Sequence, residues 1–120
     1  WGFNKLGDII YKESIDEMKH ASEVTDRILY LEGVPNLQKL GKLNIGTDVQ
    51  EQFVSDLKME KNAIACLQSA IDLCNEKKDA GTRALLEKIL VDEEHHADYL
   101  ESQINAISEI GIQNYLAQQL

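Results

Sequence analysis

Three stretches of this chain, each about thirty residues long, carry an apolar stripe at 3-4 spacing, and none alternates with period two. Long stripes of that period fit helices that bury one face against one another. The first stripe is Leu6, Ile10, Glu13, Glu17, His20, Val24, Ile28 and Leu31. The second is Phe53, Leu57, Glu60, Ile64, Leu67, Ile71 and Cys74, and the third is Leu86, Ile89, Glu93, His96, Leu100, Ile104 and Ile107. Each is apolar at both ends. Each is interrupted near its middle by carboxylate, or by carboxylate plus imidazole.

The helix signals divide the chain as one domain over residues 1–120. The first helix spans about residues 4–32, with Gly33 as a left-handed stop and Pro35 unable to continue it. Residues 33–46 are too long for a tight turn and are studded with Leu and Ile, which predicts a crossover packed along a bundle. Thr47-Asp48-Val49-Gln50 fits a capping box and opens a second helix, about 47–77. Asp79 to Thr82 forms the turn into a third, about 82–110; Gly111 breaks it, and a short amphipathic helix covers about 112–119. Thirty-residue helices reach about 40–45 Å, which is bundle geometry.

Twelve Lys and Arg against 21 Asp and Glu give a formal net charge of −9. That balance argues against a nucleic-acid surface, which needs a basic stripe, and suits small cations. No run of 18 apolar residues is present, so no membrane-spanning helix is expected. The first residues, Trp1-Gly2-Phe3-Asn4-Lys5, carry no signal-peptide or lipidation pattern. They also lack an initiator methionine, so the start is expected to be a processed, truncated or incomplete end. Cys66 and Cys74 lie eight positions apart on one helix. That is roughly 12 Å along the axis, whereas a disulfide needs Cα atoms within about 7 Å. Unpaired cysteines without a signal peptide favour a reducing cytoplasm.

The interrupted stripes carry the chemistry. Burying an unpaired carboxylate costs several kcal/mol, and three converging on one layer cost more; divalent metal compensates directly. Glu17-x-x-His20 and Glu93-x-x-His96 place carboxylate and imidazole on one helix face by i, i+3 spacing. Two such pairs with Glu60 from a third helix make the layout of a carboxylate-bridged di-iron bundle. Such ligands suit Fe(II), Mn(II) and Zn(II), and iron fits redox chemistry best. One E-x-x-H in an acidic helical protein is common and ordinarily marks a solvated face. Here two of the three histidines occur in that motif on apolar stripes. His95 lies one residue off the seam and reads as a surface histidine. Glu13, a turn above the first pair, reads as an end-of-layer group.

These residues also resemble a known family. Glu13-Ser14-Ile15-Asp16-Glu17-Met18-Lys19-His20-Ala21 is similar to the second helix of bacterioferritins. So are Arg27 to Gln38 and Leu40 to Gly46, Asp92-Glu93-Glu94-His95-His96-Ala97-Asp98-Tyr99-Leu100-Glu101, and the tail Gly111-Ile112-Gln113-Asn114-Tyr115-Leu116. The resemblance covers the whole chain and implies an all-α, ferritin-like helical bundle. It implies that Glu17 and Glu93 bridge two irons, that His20 is terminal on one, and that Glu60 and His96 are terminal on the other. The implied activity is ferroxidase: Fe(II) is oxidised by O2 or peroxide, and ferric mineral is stored in a cytoplasmic cage of twenty-four chains. Met18 matches the methionine that ligates haem b, one from each of two chains across a twofold axis. A thioether is a suitable soft axial ligand, although an apolar interface methionine is the commoner role. A ferredoxin-type electron donor is implied as a partner.

The chain departs from that pattern in two places. The family has four long helices before the short terminal one, and three are expected here. Set against that pattern, the first helix is expected to be absent, and with it the Glu it gives to the iron that His20 binds. Three Glu then leave the site one negative charge short of two Fe(II), so that iron is expected to bind weakly or to take water, an anion or another chain's ligand. Without that helix an apolar groove is expected, to be covered by another polypeptide, a partner subunit or domain exchange. Lys12 and Asp16 also stand where several members carry histidine and aspartate on the inner face, which makes an accessory iron site doubtful. Two functions of different class are therefore open: a ferroxidase and iron-storage subunit, or a truncated structural or haem-binding subunit that oxidises iron poorly. A di-iron oxidase without storage fits less well, because the last short helix resembles the one that closes the cage about its fourfold axis.

Overall fold

The computed structural model describes all 120 residues. It is all-α, with three long helices and one short: α1 (Asn4–Tyr30), α2 (Val49–Lys77), α3 (Ala80–Ile110) and α4 (Ile112–Ala117). The chain divides into two compact units. One comprises Trp1–Lys42 with Ile110–Leu120, and the other Leu43–Glu109. No helix is long and apolar enough to cross a membrane.

Four helix ends fall elsewhere than the sequence alone suggests, each for a local reason. At the end of α1 it is Glu32, not Gly33, that takes the left-handed conformation, with φ 60°. The Glu32 N–H donates to the Leu29 carbonyl at 3.0 Å and the Gly33 N–H to the Ile28 carbonyl at 2.8 Å. This is the paired-bond ending that satisfies the last carbonyls of a helix. Gly33 is needed for space: a Cβ there would sit 2.9 Å from the Ile28 Cγ2 and 3.2 Å from its carbonyl oxygen.

At the start of α2 the capping box lies one residue later than Thr47–Gln50. Asp48 is the cap, and its Oδ1 accepts from the Glu51 N–H at 2.8 Å. The Glu51 carboxylate reaches back to Thr47, accepting from its N–H at 2.9 Å and its hydroxyl at 2.6 Å. Aspartate accepts as well as threonine, and the shift puts Glu51 rather than Gln50 on the third helical position, where a charged acceptor binds more strongly.

The α2–α3 turn contracts to Lys78-Asp79. Lys78 is left-handed at φ 57°, and the Asp79 N–H donates to the Cys74 carbonyl at 2.9 Å. The same Asp79 then caps α3, its Oδ1 accepting from the Thr82 N–H at 3.0 Å. Ala80 and Gly81 therefore belong to the first turn of α3, not to the loop. At the far end α4 stops at Ala117, because Gln118 and Gln119 fold their N–H groups back to Tyr115 and Leu116.

So short a turn makes α2 and α3 antiparallel. The register shows in the ties between them: Arg83 to Asn75 Oδ1 at 3.0 Å near the turn, and Lys61 to Glu101 at 2.7 Å further along. Val49, Phe53 and Cys74 from α2, with Leu86, Ile89, Ala97, Leu100 and Ile107 from α3, are the buried apolar residues of this unit. Both cysteines are free thiols, Cys66 exposed and Cys74 buried.

The connection between α1 and α2 differs most from expectation. It spans residues 31–48, and its apolar side chains do not pack along the chain. Val34 is 91% exposed, and Leu37, Leu40, Leu43 and Ile45 are also exposed. Its visible local order is an Asx turn in which Asn36 Oδ1 accepts from Gln38 and Lys39 N–H groups, and Gly46 against the start of α2.

Candidate metal centre

In the second unit the antiparallel pair brings Glu60 of one helix to Glu93 and His96 of the other. Glu60 projects from the middle of α2, and Glu93 and His96 project from one face of α3. Each offers one ligand atom, and these atoms lie within 4.8 Å of one another. His96 Nδ1 is 3.8 Å from Glu60 Oε1. Opposed donors around one small divalent ion are about 4.2 Å apart, so the set needs only side-chain adjustment to close on a metal. Glu93 is 3% exposed, and Glu60 and His96 are half-buried or deeper. A carboxylate taken that far from water needs a positive partner, and a hard cation with oxygen and imidazole ligands supplies one.

The first unit carries the other pair on α1. His20 is 8% exposed, and its Nδ1 lies 3.7 Å from Glu17 Oε2; the Glu17 side chain is half-exposed. The i, i+3 spacing alone brings the two heads onto one face. Met18 is 66% exposed, one residue round from Glu17 and off the stripe that contains it. His95 is exposed and Glu13 half-buried.

One polar feature beside the centre is not anticipated by the stripes. Asp56 lies one turn before Glu60 on α2, and its Oδ1 accepts from Gln52 Nε2 at 2.7 Å. Burial pushes its carboxyl above the ordinary aspartate value, against the smaller downward pull of the Gln52 bond. The i, i+4 spacing of Gln52, Asp56 and Glu60 was the available signal, but an apolar-stripe reading passes over it. Glu51 moves the other way: the Thr47 hydroxyl, then the Thr47 N–H, hold its carboxyl below the ordinary range.

Residues 1–110 match the ferritin-like domain family, whose class accommodates two carboxylates and an imidazole gathered on facing helices. Among characterised relatives, bacterioferritins of Mycobacterium bovis and Mycobacterium tuberculosis are each 48% identical over 118 residues, covering 98% of this chain and 74% of theirs. Bacterioferritin of Streptomyces coelicolor is 43% identical over 116 residues, covering 97% of this chain and 70% of its own length. The chain belongs to the bacterioferritin family.

Proposed function

We propose that this chain is an iron-storage and detoxification subunit that oxidises Fe(II) to Fe(III) at a carboxylate-bridged di-iron centre. The observation that carries this reading is the convergence of Glu60, Glu93 and His96, with Glu93 almost wholly buried. Family membership supports iron as the cargo and a cage of many copies as the store.

In this reading Glu60 and His96 bind one Fe(II) terminally, His20 binds the other, and Glu17 and Glu93 bridge the two. The bridging carboxylates hold the two substrate ions close enough to deliver two electrons together. Two Fe(II) become two Fe(III); O2 takes the two electrons and two protons to give hydrogen peroxide, or peroxide takes them to give water. The three carboxylates matter twice. They concentrate Fe(II), and they stabilise the higher charge of the ferric product by more than that of the substrate, which favours oxidation.

Haem b is a second proposal, resting on Met18. An exposed thioether off the stripe that contains Glu17 and His20 would be free to hold haem iron together with a second copy. Haem would supply an electron-transfer centre, suited to returning electrons from a ferredoxin-type donor. Met18 would hold the group where two copies meet.

Dioxygen uptake after Fe(II) addition tests the main proposal. The protein should consume O2 rapidly and Glu93→Ala should lose most of the rate. Equal, slow uptake by both would remove the catalytic role and leave an assembling, non-catalytic subunit.

A further inference from the structure

Helix α1 begins without a capping side chain. Phe3 makes no side-chain bond there, and the first turn holds no acid. The opening N–H groups of a helix need acceptors from elsewhere. Lys5 finds them at the other end of the chain. Its N–H donates to the Gln119 carbonyl at 3.2 Å, and its Nζ donates to the Gln118 carbonyl at 2.8 Å. Those two carbonyls lie just past the C-terminus of α4, where a helix leaves acceptors unsatisfied and favours a cation. One residue therefore serves two helix ends at once: its backbone closes the start of α1 and its ammonium closes the end of α4.

The other end of α4 joins α3 through a single glycine, with Asn114 Nδ2 donating across it to the Ile110 carbonyl at 2.8 Å. Gly111 joins it to α3 at φ 79° and ψ 148°, and a Cβ there would meet nothing within 4 Å. The glycine is thus required by its backbone angle, not by crowding, and it is the residue type that turns most freely. Between hinge and clasp, α4 has six residues and one buried anchor, Tyr115, 4% exposed. A helix this short has little stability of its own and stays folded only while docked.

From this geometry we infer that α4 is a hinged strap: it docks while Lys5 donates to the Gln118 and Gln119 carbonyls, and swings about Gly111, exposing Tyr115, when the ammonium is withdrawn. The inference stands on the unit formed by Trp1–Lys42 and Ile110–Leu120, and does not depend on the iron-oxidation reading. It makes docking of the terminal helix a property of one exposed lysine.

Hydrogen exchange by mass spectrometry on the full chain tests it, comparing the parent with Lys5→Met, Lys5→Arg and Gly111→Ala. Methionine keeps an unbranched apolar stem and drops the charge. Loss of the one exposed charge-assisted bond should speed exchange of amides 112–119 by roughly 5- to 10-fold. Lys5→Arg should restore slow exchange, and amides of α2 and α3 should be unchanged in both. Gly111→Ala, which strains the docked angle, should produce the same local acceleration. Unchanged exchange in 112–119 for Lys5→Met overturns the clasp, as does an arginine variant as fast as methionine. Acceleration spread equally over α2 and α3 overturns it too, because that is general loss of stability.

Discussion

Replacing Glu93 by glutamine should stabilise the protein without metal and cripple it with metal. Glu93 is 3% exposed and shares a cluster with Glu60. At the cluster's limiting separation of 4.8 Å, two carboxylates repel by about 3.5 kcal/mol at an effective dielectric constant of about 20. Glutamine keeps the shape and removes the charge. It still buries an amide that needs partners, at a cost of about 1 kcal/mol, so the net gain in chelator should be about 2 kcal/mol. At roughly 4 °C per kcal/mol for a chain of this size, the metal-free melting point should rise by about 8 °C. Zinc reverses the order. A ligand at a hundred times its Kd stabilises by about 2.7 kcal/mol, which lifts the parent by about 10 °C. The variant lacks the bridging charge and should gain little. Calorimetry at about pH 8, above the ordinary imidazole range, with chelator and then with redox-inert Zn(II), reads both effects. A variant that melts below the parent in chelator, or that gains as much from zinc, refutes the account of Glu93 as a buried charge held for metal.

How much of this was legible beforehand depends on the range of the interaction. The helices were, because their stripes repeat over about eight turns and no local detail can cancel a signal that long. The cluster of Glu60, Glu93 and His96 was legible as a chemical anomaly, since acids and imidazole at stripe positions need a reason to be there. The ends were not. Whether Glu32 or Gly33 takes the left-handed angle turns on a contact of a few ångströms with Ile28, and whether Thr47 or Asp48 caps α2 turns on which carboxylate reaches which N–H. Such choices differ by about 1 kcal/mol and leave no periodic trace. The connection failed for another reason. Its leucines and isoleucines gave it an apolar character, but composition cannot say what surface they meet, and within this chain they stay exposed. Lys5 was least legible, because its carbonyl partner at Gln118 lies 113 positions away.

The remaining expectations concern local structure. Asp48→Ala removes the cap of α2 and should cost about 1 kcal/mol in urea unfolding, whereas Asp48→Asn or Asp48→Ser should cost little. Gly46→Ala should cost about 1–3 kcal/mol, because the added methyl would crowd the Gln52 N and Cα and the Glu51 carbonyl carbon, backbone atoms of the first turn of α2. An unchanged urea midpoint would mean that the connection shifts freely there. Asp56→Asn should act through pH. Burial raises the Asp56 carboxyl above its ordinary 3.8, so the folded chain holds that proton more tightly than the unfolded chain. Its contribution to stability therefore falls as pH rises from 3.8 through the raised folded value, and stays low above it. Asparagine retains an oxygen for Gln52 Nε2 and never ionises. The variant should then be the more stable protein near neutral pH, with an advantage that shrinks to nothing once the parent is protonated below 3.8. An advantage that persists unchanged into acid would show that packing, and not the buried charge, is what the substitution alters.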